Sequence, residues 1–205
     1  MKKFLLSLFF FILSLLTLSV LGAILYYSKW SNEFDLKAEE FTYLDLEIDR
    51  YGDIREDIDL KVNRFSSSEN QVDFIEFTPE EFGILVYDNS SEAFPEDITV
   101  KEIYINHEIF EWYLYMNLEY KGVSLPWIGV EISKDNQETA EIYVSEVSVA
   151  GIILSDIGLE SFRRNLSRGY LDALNFVNEN NITERKFDNI ELTDEGVFIK
   201  GSRKE

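Results

Sequence analysis

The chain has 205 residues, no cysteine, a single histidine and a formal net charge of −20 at pH 7. That composition excludes disulfide bonding and leaves too few ligands for an ordinary zinc centre. A surface this acidic also disfavours nucleic acid and repels anionic lipid head groups within about a Debye length.

Phe4 to Tyr27 is an uncharged, overwhelmingly apolar run preceded by Lys2 and Lys3. At about 1.5 Å of rise per residue it predicts a helix about 36 Å long, enough for a hydrocarbon core of roughly 30 Å. A cleaved secretory signal is the competing reading, with Val20 and Gly22 as a weak cleavage site. Apolarity continues past Gly22 to the interfacial pair Tyr26 and Tyr27, which favours an uncleaved anchor. Lys2 and Lys3 favour a cytoplasmic N-terminus, so the expected protein spans the cell membrane once and holds its bulk outside the cytoplasm. The expected organisation is an anchor at 1–30, a membrane-proximal helical stem at 31–66 and an extracytoplasmic α+β domain at 67–205.

The spacing of Phe41, Leu44, Ile48, Tyr51, Ile58, Val62 and Phe65 predicts a helix over Phe34–Phe65. Asp45, Asp49, Asp53 and Asp57 would stack along it, as a solvated face, a weak cation site or a docking strip for a basic partner. Alternation at Leu44, Leu46 and Ile48 also suits a short strand, and Gly52 weakens a continuous helix. Thr78-Pro79-Glu80-Glu81 supplies an N-cap, a first-turn proline and a capping glutamate, so a short helix is expected from Pro79.

From Ile98 to Ala150 the period changes to two. Ile98 to Ile105 reads as a strand with two partly apolar faces. Glu108 to Tyr120 places Phe110, Trp112, Leu114 and Met116 on one face and Tyr113 and Tyr115 on the other. Leu125 to Ile132 is the return strand, and a phase slip within Glu138–Ala150 predicts a bulge or strong bend. Leu159, Phe162, Leu166, Tyr170, Ala173, Leu174 and Val177 then mark an amphipathic helix. Arg163, Arg164 and Arg168 form a basic cluster on its polar side, suited to a lipid phosphate, an acidic partner or the chain's own carboxylates. Phe187–Leu192 and Val197–Lys200 read as a terminal hairpin joined by Thr193-Asp194-Glu195-Gly196.

The fold class is therefore α+β, an N-terminal transmembrane helix followed by one domain with a curved antiparallel sheet packed on amphipathic helices. No nucleophile pattern accompanies His107, which falls between two expected strands. No phosphate-cradling loop occurs either, so no enzyme, cofactor or metal is expected. Phe, Tyr and Trp make up 30 of the 205 residues, and they fall on both faces of the strands. Phe110, Trp112, Tyr113, Leu114, Tyr115, Met116 and Trp127 are the candidates for an apolar ligand site or a subunit interface.

Phe77-Thr78-Pro79-Glu80-Glu81, the Gly122 to Pro126 return and the Asp194-Glu195-Gly196 turn occur in the order anchor, helix, short helix, meander, helix, strand pair. That layout resembles small single-span bacterial membrane-anchored proteins of the tubular lipid-binding type. The resemblance implies a curved sheet around a long helix that holds acyl chains or another apolar ligand at the outer side of the membrane. Two functions are expected on this basis. One is a membrane-anchored, non-enzymatic binding module for lipid or another apolar ligand. The other is an accessory or scaffold subunit of a membrane or envelope protein complex.

Overall fold

The computed structural model describes residues 2–46, 51–90, 97–134, 142–153 and 185–203. The chain divides into two units, Met1–Glu39 and Glu40–Glu205. The first unit is helix α1, Lys2–Ala38. Its length and apolarity suffice to cross a membrane, a test that a signal sequence near an N-terminus passes equally. Within the apolar run the Thr17 and Ser19 hydroxyls donate to the carbonyls of Leu13 and Leu15, each at 2.9 Å. Such back-bonding satisfies each hydroxyl within its own helix. Tyr27, Trp30 and Phe34 stack at centroid distances of 6.1 and 5.2 Å, because residues three and four apart share one helix face.

The helix expected over Phe34–Phe65 is broken. α1 ends at Ala38, Thr42–Asp45 forms strand β1, and helix α2 occupies Gly52–Ser67. β1 pairs with strand β3, Ile98–Glu108, and brings Leu44 opposite Ile103 in the core. Burial and ladder hydrogen bonds override the helical periodicity there. The aspartate row is consequently dispersed. Asp45 lies opposite Glu102, Asp53 and Asp57 lie on α2, and Asp49 falls outside the described residues.

Helix α3, Pro79–Ser90, begins where its capping signal puts it. The Glu81 amide donates to Thr78 Oγ1 at 3.2 Å and the Thr78 amide donates to Glu81 Oε2 at 2.8 Å, so two orphan amides are satisfied reciprocally. Lys61 of α2 reaches the same carboxylate oxygen at 2.6 Å. Arg55 of α2 forks onto Asp88 of α3 with two bonds of 2.8 Å.

The described strands of this unit form two antiparallel sheets. In the larger, seven-stranded sheet, β1, β3, β4 (Glu111–Tyr120), β6 (Ile128–Ser133), β7 (Tyr143–Val149) and β8 (Ile152–Ile153) follow one another, and β5 (Val123–Ser124) pairs with β4. The smaller has the order β2 (Val72–Phe77), β10 (Val197–Arg203), β9 (Arg185–Leu192). The terminal hairpin is thus present as expected, but β2 joins it into a separate three-stranded sheet. Val72 and Phe74 alternate with the buried Ile75 and Phe77, and apolar residues on both sides conceal the strand period.

Bulges reset the alternation in three strands, Asp188 being the extra residue in β9. Lys101 is the extra residue where the β3–β4 register shifts, which lets Val100, Ile103 and Ile105 all be buried although strict alternation separates Val100 from the other two. Ser145 is the extra residue in β7, the irregularity required by the phase slip in the sequence. The amphipathic helix expected from Leu159 to Val177, with Arg163, Arg164 and Arg168, lies outside the described residues.

α3 is seated closely on the larger sheet. A Cβ added at Gly83 would lie 2.5 Å from Leu44 Cδ1 and 2.6 Å from Ile105 Cδ1. Gly83→Val is therefore expected to lower stability by about 1–3 kcal/mol through overpacking. Urea denaturation checks it. The midpoint should fall at constant slope, and an unchanged midpoint would show that α3 yields freely.

Candidate functional site

The strand expected over Glu108–Tyr120 contains a turn. β3 runs to Glu108, Ile109 and Phe110 reverse the chain, and β4 begins at Glu111. His107, expected in the connection, is a strand residue opposite Trp112. Phe110 has φ 72°, a left-handed conformation uncommon for a bulky residue. Its amide donates to the Leu192 carbonyl at 3.0 Å, so it does not continue the face of Trp112. A two-residue turn without Gly, Asn or Asp preserves alternation on both sides, which hides it in the sequence.

Trp112, Leu114 and Met116 point into the core and are fully buried. Trp112 meets Phe82 of α3 edge-on at 5.3 Å and donates its Nε1–H to the Thr193 carbonyl at 2.9 Å. Beside it, His107 Nδ1 lies 2.8 Å from the Asp194 carbonyl, and Nε2 lies 3.2 Å from Thr42 Oγ1. A carbonyl only accepts, so Nδ1 carries a proton. Trp112 and His107 fasten the β3–β4 hairpin to the turn between β9 and β10, and Trp112, Leu114 and Met116 have almost no exposed surface.

Tyr113 and Tyr115 occupy the other face of the larger sheet. Along one cross-strand row Tyr43, Tyr104, Tyr115, Gly129 and Ser148 follow one another. Phe41 stacks on Tyr115 at 5.9 Å, Tyr113 on Tyr115 at 6.4 Å, and Trp127 contacts Tyr104 at 5.4 Å. Gly129 makes room for the Tyr115 ring, since a Cβ there would come within 3.0 Å of its Cε1.

Carboxylates border this aromatic row. Burial, reinforced by Glu102 and Asp45, pushes the Tyr43 phenol up from 10.0 to about 12. Burial with Glu131 and Glu111 raises Tyr113, and burial with Glu146 and Glu131 raises Tyr115. Because the unfolded phenols ionise first, the unfolded state holds fewer protons above pH 10, and stability should fall as pH rises from 10 toward 12. Ultraviolet titration of the phenolate band checks this. One step near pH 12 should disappear in Tyr43→Phe, whereas ordinary titration of Tyr43 would contradict the arrangement.

A groove of about 610 Å³ lies between the C-terminal half of α2 and β2, lined by Lys61, Arg64, Phe65, Ser68, Asn70, Asp73 and Phe74 among others. Beneath it Arg185 is 2% exposed. Its Nε donates to the Phe65 carbonyl at 2.6 Å, Nη1 to Gly201 at 3.1 Å, and Nη2 to Ser68 at 2.7 Å and Asn70 at 2.8 Å. The guanidinium thereby satisfies carbonyls left open where α2 ends, and its charge suits the negative end of the helix dipole. Asp73 accepts the Phe74 amide at 2.9 Å. The Ser68 hydroxyl and that amide hold the Asp73 carboxyl below its usual range.

None of the candidate site residues read from the sequence is among the residues lining this groove. Trp127 is nearly buried beside Tyr104, and the three arginines of the expected basic cluster fall outside the described residues. The only sequence sign of the groove is Val72 and Phe74 out of phase with Ile75 and Phe77. Comparisons with protein-family models, curated proteins and solved structures return no match. No group of three His, Cys, Asp or Glu side chains positioned for a metal occurs among the described residues.

Proposed function

We propose that the protein is a membrane-anchored, non-enzymatic docking module, an accessory subunit that binds another protein at the membrane surface. The observation that carries this reading is the groove beside β2, whose lining mixes backbone-rich polar residues with Phe65, Phe74 and Ile75. Such a lining suits a peptide better than an acyl chain, which needs a predominantly apolar site. α1 supplies the anchor, and Lys2 and Lys3 favour a cytoplasmic N-terminus with the folded unit outside the cytoplasm. The net charge of −20 disfavours adsorption of that unit to anionic lipid.

Native mass spectrometry of the full chain, extracted in mild detergent, tests the proposal. A stoichiometric protein partner is the expected result, and a monomer that is empty or carries lipid alone would overturn it. The second reading, a module for lipid or another apolar ligand, is favoured by the aromatic row from Tyr43 to Tyr115 on the outer sheet face. It predicts phospholipid retained by the monomer and lost on Tyr115→Ala.

A further inference from the structure

β2 is the edge strand of the smaller sheet and pairs only with β10 among the described residues. On an antiparallel strand the amide and carbonyl of one residue face the same side, and successive residues alternate. The Phe74 amide is held by Asp73 Oδ1, and the Glu76 carbonyl accepts Lys61 Nζ at 3.0 Å. Phe74 and Glu76, and by alternation Val72, therefore direct their backbone groups away from β10. Asp73 supplies an acceptor and Lys61 a donor where an added strand would place its own. The Phe74 carbonyl and the Glu76 amide complete the open edge.

A strand edge that is simply shielded carries charge, proline or a bulge. β2 carries such charge in Asp73 and Glu76, and Asp73 and Lys61 engage two of its outward groups, yet Val72 is 41% and Phe74 63% exposed beside the remaining ones, with the groove alongside. Charge narrows the occupant further. Lys61 is engaged with Glu81, whereas Arg64 is exposed and makes no ion pair among the described residues. The lining also carries Asp73 and Glu76, so a carboxylate brought from outside is drawn to the exposed Arg64 and away from those two. Arg185 adds its positive charge beneath Ser68 and Asn70 of the same wall.

From this we infer that the groove receives an extended peptide segment of another protein, added to β2 as a further strand, with a carboxylate of that segment on Arg64. The carboxylate belongs to an acidic side chain or to a chain terminus. This site rests on the reading of the protein as a docking module and gives that reading a location. Main-chain bonds to β2 supply affinity, while Val72, Phe74 and Arg64 supply selectivity.

The test uses the full chain in neutral phosphatidylcholine nanodiscs and labelled hexapeptides of alternating valine and threonine. One carries a central glutamate and an amidated end, a second has lysine in place of the glutamate, and a third has no charged side chain but a free terminal carboxylate. Fluorescence anisotropy should show the glutamate peptide, the free-terminus peptide or both binding about fivefold or more tightly than the lysine peptide, and comparing the first and third identifies the source of the carboxylate. Arg64→Glu should reverse that order. Glu76→Pro removes an outward amide without touching the bonds to β10 and should weaken binding about tenfold, while Glu76→Gln should not.

Hydrogen exchange on the unsubstituted chain provides a readout independent of any variant, because bound peptide should slow exchange of the Glu76 amide. Equal affinity for glutamate and lysine peptides, unaltered exchange at Glu76, or self-association in place of peptide binding would each overturn the site. If a protein partner is still retained by Arg64→Glu and Glu76→Pro, the docking module stands and this location for it falls. Loss of the partner from the native protein itself would remove both.

Discussion

Arg185→Ala is expected to destabilise the folded unit by about 3–5 kcal/mol. Of the four carbonyls that its guanidinium serves, those of Phe65 and Gly201 are bonded in the interior and those of Ser68 and Asn70 at its partly buried margin. Removing their shared donor leaves several acceptors unsatisfied, and the ring contact of the guanidinium with Phe65, at 5.2 Å, is lost with it. Arg185→Met separates the two causes, since it restores much of the volume but none of the donors. If hydrogen bonding dominates, Met should recover less than about a third of the loss, because burying an unpartnered carbonyl costs about 1–3 kcal/mol each. Arg185→Lys should also fall short, as an ammonium cannot serve four acceptors spread around a planar fork. Thermal unfolding reads the effect as a midpoint lower by roughly 6–20 °C. A shift of a degree or two would mean that the turn after α2 holds its own geometry.

Trp112→Ala is the second large effect, with an expected loss of about 3–5 kcal/mol from the buried indole and the cavity it leaves. The residue is packed between α3 and the β9–β10 turn, so its removal loosens contacts among three parts of the core. Trp112→Phe should cost less, about 1–2 kcal/mol, because the ring is mostly kept while the Thr193 carbonyl loses its donor. Calorimetry distinguishes this structural role from ligand contact. A structural Trp112 lowers stability in the absence of any added ligand, whereas stability unchanged without ligand would return Trp112 to the list of binding residues.

These expectations reverse the weight that pattern alone gives to the two residues. Alternation from Trp112 to Met116 reads correctly as one strand face, yet it does not distinguish a face that lines a cavity from one that fills a core. The covering helix α3 makes that distinction, through the contact of Phe82 with the indole and the close approach at Gly83. Arg185 has no such signature in the sequence. It stands next to Lys186 like any surface pair, and its burial arises from the convergence of Phe65, Ser68 and Asn70, more than a hundred residues earlier in the chain.

Local chemistry was the legible part. Thr78-Pro79-Glu80-Glu81 specifies the start of α3, the phase slip near Ser145 specifies a bulge, and the final turn specifies the β9–β10 hairpin, because each depends on neighbours within a few residues. Conversely, periodicity over Phe34–Phe65 predicted one helix where β1 intervenes, since the ladder to β3 is a non-local interaction that helical spacing does not register. The β3–β4 turn was missed for a related reason. A φ of 72° at Phe110 is imposed by the hairpin and by the bond to Leu192, not by a turn-forming residue type.

By itself, then, the sequence determined an apolar N-terminal helix long enough to span a membrane, a strongly acidic α+β domain after it, and the caps, bulge and hairpin that short-range hydrogen bonding dictates. Tertiary structure alone decided that β2 joins the terminal hairpin as an edge strand among the described residues, that Arg185 sits beneath its groove, and that Trp112 belongs to the core. All three depend on contacts between distant segments. Their free energy comes from burial and from pairing orphan backbone groups, neither of which a local pattern of residue types encodes.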